Sequence, residues 1–201
     1  MERYLITHSL LSAWLYSMRD DPFEDAARNP MEDFLRVLHR EETPATDAMQ
    51  AGIDFENLVT AVLNGTADAK VPWYTAAEKI AQQCAGGILQ YKARKQIEVD
   101  GLNLLLYGRL DCLKAGEIMD IKFSTKYSSG KYFASTQHPV YLELVPEARQ
   151  FTYLISNGSS VWTETYRREE TLSIYPVISD FLVWLQTVGL LQTYKETWRT
   201  L

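Results

Sequence analysis

The sequence predicts a single α/β domain built on a mixed β-sheet, and three observations carry that prediction. The chain has 201 residues, an ordinary length for one domain with a substantial core. Its hydrophobic pattern is helical up to about Ala85 and then alternates from Ile88. The order that results is helices, a three-stranded meander, a helix, a hairpin and a helix, which is the layered pattern of an α/β domain.

Each element has its own signal. Tyr4 to Met18 reads as a short helix entered through Thr7 or Ser9, with Leu10, Leu11, Trp14 and Leu15 on one side. Asp20 to Pro30 reads as a loop and Met31 to Arg40 as a helix. Thr43-Pro44-Ala45-Thr46 opens a longer helix that Asn64-Gly65 ends, and a further helix lies between Thr75 and Ala85. Ile88 to Val99, Leu102 to Lys114 and Glu117 to Phe123 read as strands, joined by turns at Asp100-Gly101 and Ala115-Gly116. After a Ser/Lys/Gly-rich loop from Ser124 to Lys131, a helix starts near Gln137, where Pro139 fits the first turn. Gln150 to Ser156 and Ser159 to Arg167 form a hairpin about Asn157-Gly158, and a helix follows Pro176.

Bulk composition narrows the function. Cys84 and Cys112 give neither a disulfide framework nor zinc-type spacing, which suits a reducing compartment and a cytoplasmic location. The first residues lack the pattern of a signal peptide, and Val177 to Leu191, interrupted by Asp180 and Gln186, reads as a core helix and not a membrane span. A net charge of −6 argues against a protein that coats nucleic acid. It leaves room for an enzyme that holds DNA through a local basic patch and a metal ion.

The chemistry concentrates in the meander. Asp120 and Lys122 are two apart and share a strand face, with Met119, Ile121 and Phe123 pointing the other way. On the preceding strand Leu104, Leu106, Leu110 and Cys112 form the apolar set, leaving Tyr107, Arg109 and Asp111 on the polar face. A two-residue Ala115-Gly116 turn pairs Lys114 with Glu117, and counting onward sets Asp111 opposite Asp120 and Arg109 opposite Lys122. Opposed like charges destabilise a ladder, so a chain that accepts them points to a cation between them. Two Asp, a backbone carbonyl and water make an incomplete oxygen shell of the kind that suits Mg²⁺ or Mn²⁺. Glu56 lies beside the apolar stripe of its helix, where an unpaired carboxylate is costly and a metal site would use it. Counting back through Asp100-Gly101 puts Gln90, Lys92 and Arg94 on the face of Arg109 and Asp111. Lys126 and Lys131 add positive charge after the third strand, and Arg167-Arg168 is expected to approach from the hairpin, together a path for a phosphate backbone. His8, His39 and His138 form no ligand cluster by spacing, and the five Trp residues read as core.

Taken in order, Gly52-Ile-Asp-Phe-Glu56, Gly108-Arg-Leu-Asp111, Asp120-Ile-Lys122 and Gln137-His-Pro-Val-Tyr141 resemble the PD-(D/E)XK nucleases, in their RecB-like and phage-exonuclease branch. The opening Thr7-His-Ser-Leu-Leu-Ser-Ala-Trp-Leu is similar to the first helix of RecB-type nucleases, while Glu56 stands where many of those carry His. The resemblance implies an αβββαβ restriction-endonuclease-like core with helices flanking the sheet. It implies Asp111, Asp120 and the Ile121 carbonyl as ligands of Mg²⁺ or Mn²⁺, Glu56 as a further ligand and Lys122 as the catalytic lysine. Gln137 and Tyr141 would contact DNA or order the site. The function expected is a DNA nuclease, in the main an exonuclease, of phage or bacterial recombination or repair. Its partners would be DNA and a recombination or repair protein, with no membrane. The rival readings are a catalytically silent DNA-binding or protein-interaction module on the same fold, and an enzyme acting on RNA.

Overall fold

The structure is a computed structural model that describes residues 2–19 and 29–200. Of the loop expected from Asp20 to Pro30, only Asn29 and Pro30 fall among them, and these begin a helix: the Asn29 side chain accepts from the Met31 and Glu32 N–H groups, and Pro30 takes the first helical position.

The chain starts with strand β1 (Arg3–Thr7) and not, as expected, with a helix. Tyr4 and Ile6 are buried while their neighbours are half-buried, a period of two that the short apolar run hid. Thr7 then caps helix α1 (His8–Ser17) by accepting from Leu10 N–H. Helices α2 (Pro30–Leu38), α3 (Asp47–Leu63) and α4 (Tyr74–Cys84) follow, α3 capped by Thr46. The α2 helix stops before the expected Arg40, whose φ of +56° leaves the helical region.

The meander is β2 (Ile88–Val99), β3 (Leu102–Lys114) and β4 (Glu117–Phe123), with the bounds the sequence predicts. Its turns, Asp100-Gly101 and Ala115-Gly116, have positive φ at both residues, the requirement of a two-residue type I′ hairpin. Helix α5 (Gln137–Leu144) precedes the hairpin of β5 (Gln150–Ser156) and β6 (Val161–Arg167). The second strand begins at Val161 and not Ser159, because the Asn157 side chain accepts from the N–H groups of Ser159 and Ser160 and holds both in the turn. Helices α6 (Tyr175–Thr187) and α7 (Leu191–Thr197) and the short strand β7 (Arg199–Thr200) close the chain. The last two elements carry no strong periodicity. Tertiary bonds hold them: Tyr194 donates to Leu5 O at 2.9 Å, and Trp198 donates to Leu38 O at 2.8 Å.

The seven-stranded sheet is mixed, in the order β6-β5-β4-β3-β1-β7 with β2 also on β3; the β1–β3 and β4–β5 pairs are parallel. Helices cover both faces. Leu104, Leu106, Leu110, Ile118, Phe151 and Ile155 join one buried cluster with α1, α2, α5, α6 and α7. Met119, Cys112 and Leu154 join a second with Phe55 and Val59 of α3 and Ile80 of α4. Each large side chain so buried contributes roughly 1.5–3 kcal/mol. No described helix is long and apolar enough to cross a membrane.

Candidate active site

The site begins as a gap in the sheet. Leu104 of β3 pairs with Ile97 on one side and Tyr4 on the other, while Cys112 pairs with Leu89 and Met119. So β1 and β4 share one edge of β3, β1 at its start and β4 at its end. Between them, from Gly108 to Asp111, that edge has no strand partner. Main-chain groups beside this gap need other partners, and the fold supplies them from side chains of the candidate site. The Tyr141 hydroxyl donates to Arg109 O at 3.0 Å, and the Ile121 N–H donates to Asp111 Oδ2 at 2.8 Å.

This fork corrects the counted register. Lys114↔Glu117 holds as expected, but the β3–β4 ladder ends at Cys112↔Met119, one pair short of Asp111 and Asp120. Arg109 therefore does not pair with Lys122. The alternation also switches at Asp111: Leu110 feeds the first cluster and Cys112 the second, although they are two residues apart. Ala93 and Leu89 of β2 divide in the same way. Between them Gln90 has φ +52°, and the Gln90–Asp111 position is unpaired while Leu89↔Cys112 and Tyr91↔Leu110 are paired. A left-handed residue inside a strand turns the neighbouring side chains to the other face, and an assumption of unbroken period two does not foresee it.

The carboxylates still meet. A cavity of about 320 Å³ is lined by Glu56, Arg109, Asp111, Asp120, Ile121, Lys122, Gln137 and Tyr141. Of the expected site residues only Lys126 stands apart, exposed on the loop after β4 and outside that lining. Asp111 and Asp120 are 9% and 3% exposed. Asp120 Oδ1 accepts from Gln137 Nε2 at 2.5 Å, and Lys122 Nζ stands 2.7 Å from Oδ2. The Lys122 ammonium is thus the partner of the buried Oδ2, in an ion pair. Gln90 Nε2 donates to Glu56 Oε1 at 2.6 Å and reaches Asp111 Oδ1 at 3.5 Å.

The electrostatics follow from this crowding. Burial first, and then the charges of Asp120 and Glu56, hold the Asp111 carboxyl well above the usual range, against the pull of the Ile121 N–H and Lys122. Burial alone would push the Lys122 ammonium down, but the Asp120 carboxylate outweighs it and the net shift is upward. Lys122 therefore keeps its proton at neutral pH. Tyr141 is pushed up to about 12 by burial and by Asp120.

Sequence spacing missed His8, Thr7 and Ser9, which also line the cavity, at the start of α1. His8 packs edge-on to Tyr141 with ring centroids 5.4 Å apart, and burial followed by the Lys122 charge holds it at about 3, so it is neutral. Only the placement of β1 inside the sheet brings it here, and no spacing rule carries that. Another unforeseen feature is the anchoring of the loop after β4. Glu164 of β6 accepts from Tyr127 OH at 2.9 Å and Tyr132 N–H at 3.0 Å, and Tyr132 stacks on Tyr153 beside Lys122.

The basic residues divide. Lys92 pairs with Arg109 and Arg94 with Tyr107, and all three cations are exposed on one sheet face, as expected. Lys131 turns inward to Ser124 Oγ and Lys126 O. Arg168, expected to approach a phosphate, instead donates to Leu142 O in the last turn of α5 and to Val145 O and Ala148 O beyond it. There it satisfies carbonyls a helix end leaves open.

Among the described residues, no group of three or more His, Cys, Asp or Glu is gathered closely enough to hold a metal ion by itself. A cation here would have to draw Asp111, Asp120 and Glu56 closer together than they stand, with main-chain oxygen completing the shell. The donor chemistry fits one: a buried carboxylate oxygen paired with the Lys122 ammonium, a second carboxylate unfavourable to ionise without a counter-charge, and Glu56 near it.

No protein-family model matches the chain, and no curated protein matches it. Among solved structures, the chain is similar to that of SSO0001, with a TM-score of 0.55 and 16% sequence identity over 92% of this chain and 78% of that one. At that identity the likeness concerns the fold.

Proposed function

We propose that this chain is a divalent-cation-dependent nuclease with a PD-(D/E)XK core, hydrolysing DNA phosphodiester bonds in the fork between β1 and β4. The observation that carries the reading is the convergence of Asp111, Asp120 and Glu56 with Lys122 in one cavity. Asp111, Asp120, the Ile121 carbonyl and Glu56 would hold Mg²⁺ or Mn²⁺. Such an ion, when bound, lowers the pKa of water and neutralises charge on phosphate oxygens.

The chain's own groups then have distinct tasks. Gln137 fixes the rotamer of Asp120 through its hydrogen bond. Lys122, charged at neutral pH, lies where it can orient the attacking water and offset charge gathering on the phosphorus oxygens. Water forms the new P–O bond as the bond to the leaving sugar oxygen breaks, and the water's proton ends on solvent or that alkoxide. Tyr141 keeps the Arg109 carbonyl and α5 together at the cavity floor. Exposed Lys92, Arg94 and Arg109 offer a path for the phosphate backbone despite the acidic total. The setting we favour is phage or bacterial recombination or repair, acting on DNA ends.

One observation favours a second reading. Protein donors already engage both central carboxylates, Ile121 N–H on Asp111 and Gln137 with Lys122 on Asp120. A silent binding module on this fold would satisfy its carboxylates in this way. Incubation of the purified protein with end-labelled linear and circular DNA, in Mg²⁺, Mn²⁺ or EDTA, separates the two. Metal-dependent loss of linear DNA supports the nuclease; retention of both forms with intact binding supports the module.

A further inference from the structure

Gln90 occupies a backbone conformation that its residue type does not favour. It sits inside β2 with φ +52°, where a residue with a Cβ costs of order 1–3 kcal/mol and a glycine would not. The positive φ at Asp100 and Ala115 is explained by their turns; Gln90 has no turn to explain it. Its side chain supplies a reason. The amide Nε2 lies 2.6 Å from Glu56 Oε1 and 3.5 Å from Asp111 Oδ1. Its Oε1 is buried without a hydrogen-bond partner, so the two carboxylates alone orient the amide.

Glu56 needs such a tether. It stands on α3, which packs against α4 and β4, whereas Asp111 stands on β3. Asp111 and Glu56 share one amide as neighbour, and two carboxylates so placed repel each other. Left to electrostatics, Glu56 would swing toward solvent. An amide N–H between the two offsets part of that repulsion without adding charge.

We infer that Gln90 is a positioning residue, bent out of ordinary strand geometry to hold the Glu56 carboxylate beside Asp111, so that α3 and β3 present their carboxylates to one divalent cation. The inference rests on the cation-dependent reading of the site. It adds a residue that neither sequence motif nor carboxylate spacing assigns to the site.

The test uses the full chain and thermal melting, with Mn²⁺ titrated against EDTA. Gln90→Gly keeps the backbone conformation and removes the amide; Gln90→Asn keeps an amide that tolerates left-handed φ but falls one methylene short. Both variants should melt in EDTA no lower than wild type, while the Mn²⁺ needed for half of the metal-induced rise increases about tenfold, or about 1.4 kcal/mol. Glu56→Gln should shift the midpoint similarly, and adding Gln90→Gly to it should bring little further change. A purely structural Gln90 predicts the reverse, a lower melting point in EDTA and an unmoved Mn²⁺ midpoint, and that result overturns the inference. If Glu56→Gln moves the midpoint and Gln90→Gly does not, the cation site stands and Gln90 has no part in it. If wild type shows no Mn²⁺-dependent rise, the cation reading falls and this inference falls with it.

Discussion

Asp111 is the residue on which the site's energetics turn. The residue is 9% exposed, and burial, Asp120 and Glu56 hold its carboxyl above the normal range. A raised folded pKa means that the group favours folding below its unfolded value near pH 4, and loses that contribution as pH rises through the folded value. At neutral pH without metal, ionising this carboxyl is thus a cost. Asp111→Asn keeps an oxygen for the Ile121 N–H and removes the charge. In EDTA at pH 7.5 it should melt at or above wild type, by roughly 0.2–1 kcal/mol on the scale of opposed like charges. The difference should shrink as the pH is lowered toward 4. In Mn²⁺ the order should invert, because an ion that binds only the folded state at a hundredfold excess over Kd adds about 2.7 kcal/mol to wild type. Melting curves of both proteins across pH, with and without Mn²⁺, check this.

Among the elements, α5 and the unpaired edge of β3 are made for each other, and Gly108 marks the contact. A Cβ there would lie 2.5 Å from Tyr141 Cε1 and 2.9 Å from Leu144 Cδ1. Ring and helix must then move, and α5 carries Gln137, the partner of Asp120. We expect Gly108→Ala to cost about 1–3 kcal/mol, the range of overpacked cores, and to reduce cleavage by more than that loss of folded protein explains. Denaturant melts beside cleavage rates of the folded fraction decide it; a rate that falls only with stability would remove α5 from the site. The glycine also indicates which parts of the site the sequence makes legible. Asp120 and Lys122 are readable because β4 keeps period two over its whole length. The contact of Asp111 with its neighbours is not, since the ladder stops beside it and Gln90 turns both strands over. Short β1 is hidden for a related reason: five residues buried on alternate positions look like the start of the amphipathic α1 that succeeds them.

For the molecule as a whole, the proposed function asks an acidic chain to handle an anionic polymer. On the sheet face of Lys92, Arg94 and Arg109 positive charge stays exposed, whereas Arg168 and Lys131 are committed to carbonyls and a hydroxyl. Sequence counting locates the first group because β2 and β3 pair in unbroken register from Val99↔Leu102 to Tyr91↔Leu110. It misjudges Arg168 because capping carbonyls appear only in three dimensions. Lys92→Gln should weaken DNA binding by a similar factor across sequences and lower the slope of log K against log salt by about 1. An unchanged slope would place the phosphate path elsewhere. Whether the fork is a catalytic site is decided most sharply at Lys122, because its replacement leaves all three carboxylates in place. The measurement is the single-turnover cleavage rate of end-labelled linear DNA in Mg²⁺ by wild type and Lys122→Ala, with Mn²⁺-dependent melting of both as the control for an intact metal site. We predict metal-dependent cleavage by wild type, and a variant that retains the melting response but loses cleavage by about a hundredfold or more, the scale of one lost transition-state contact. A folded Lys122→Ala protein that cleaves as fast as wild type would deprive the fork of its catalytic role.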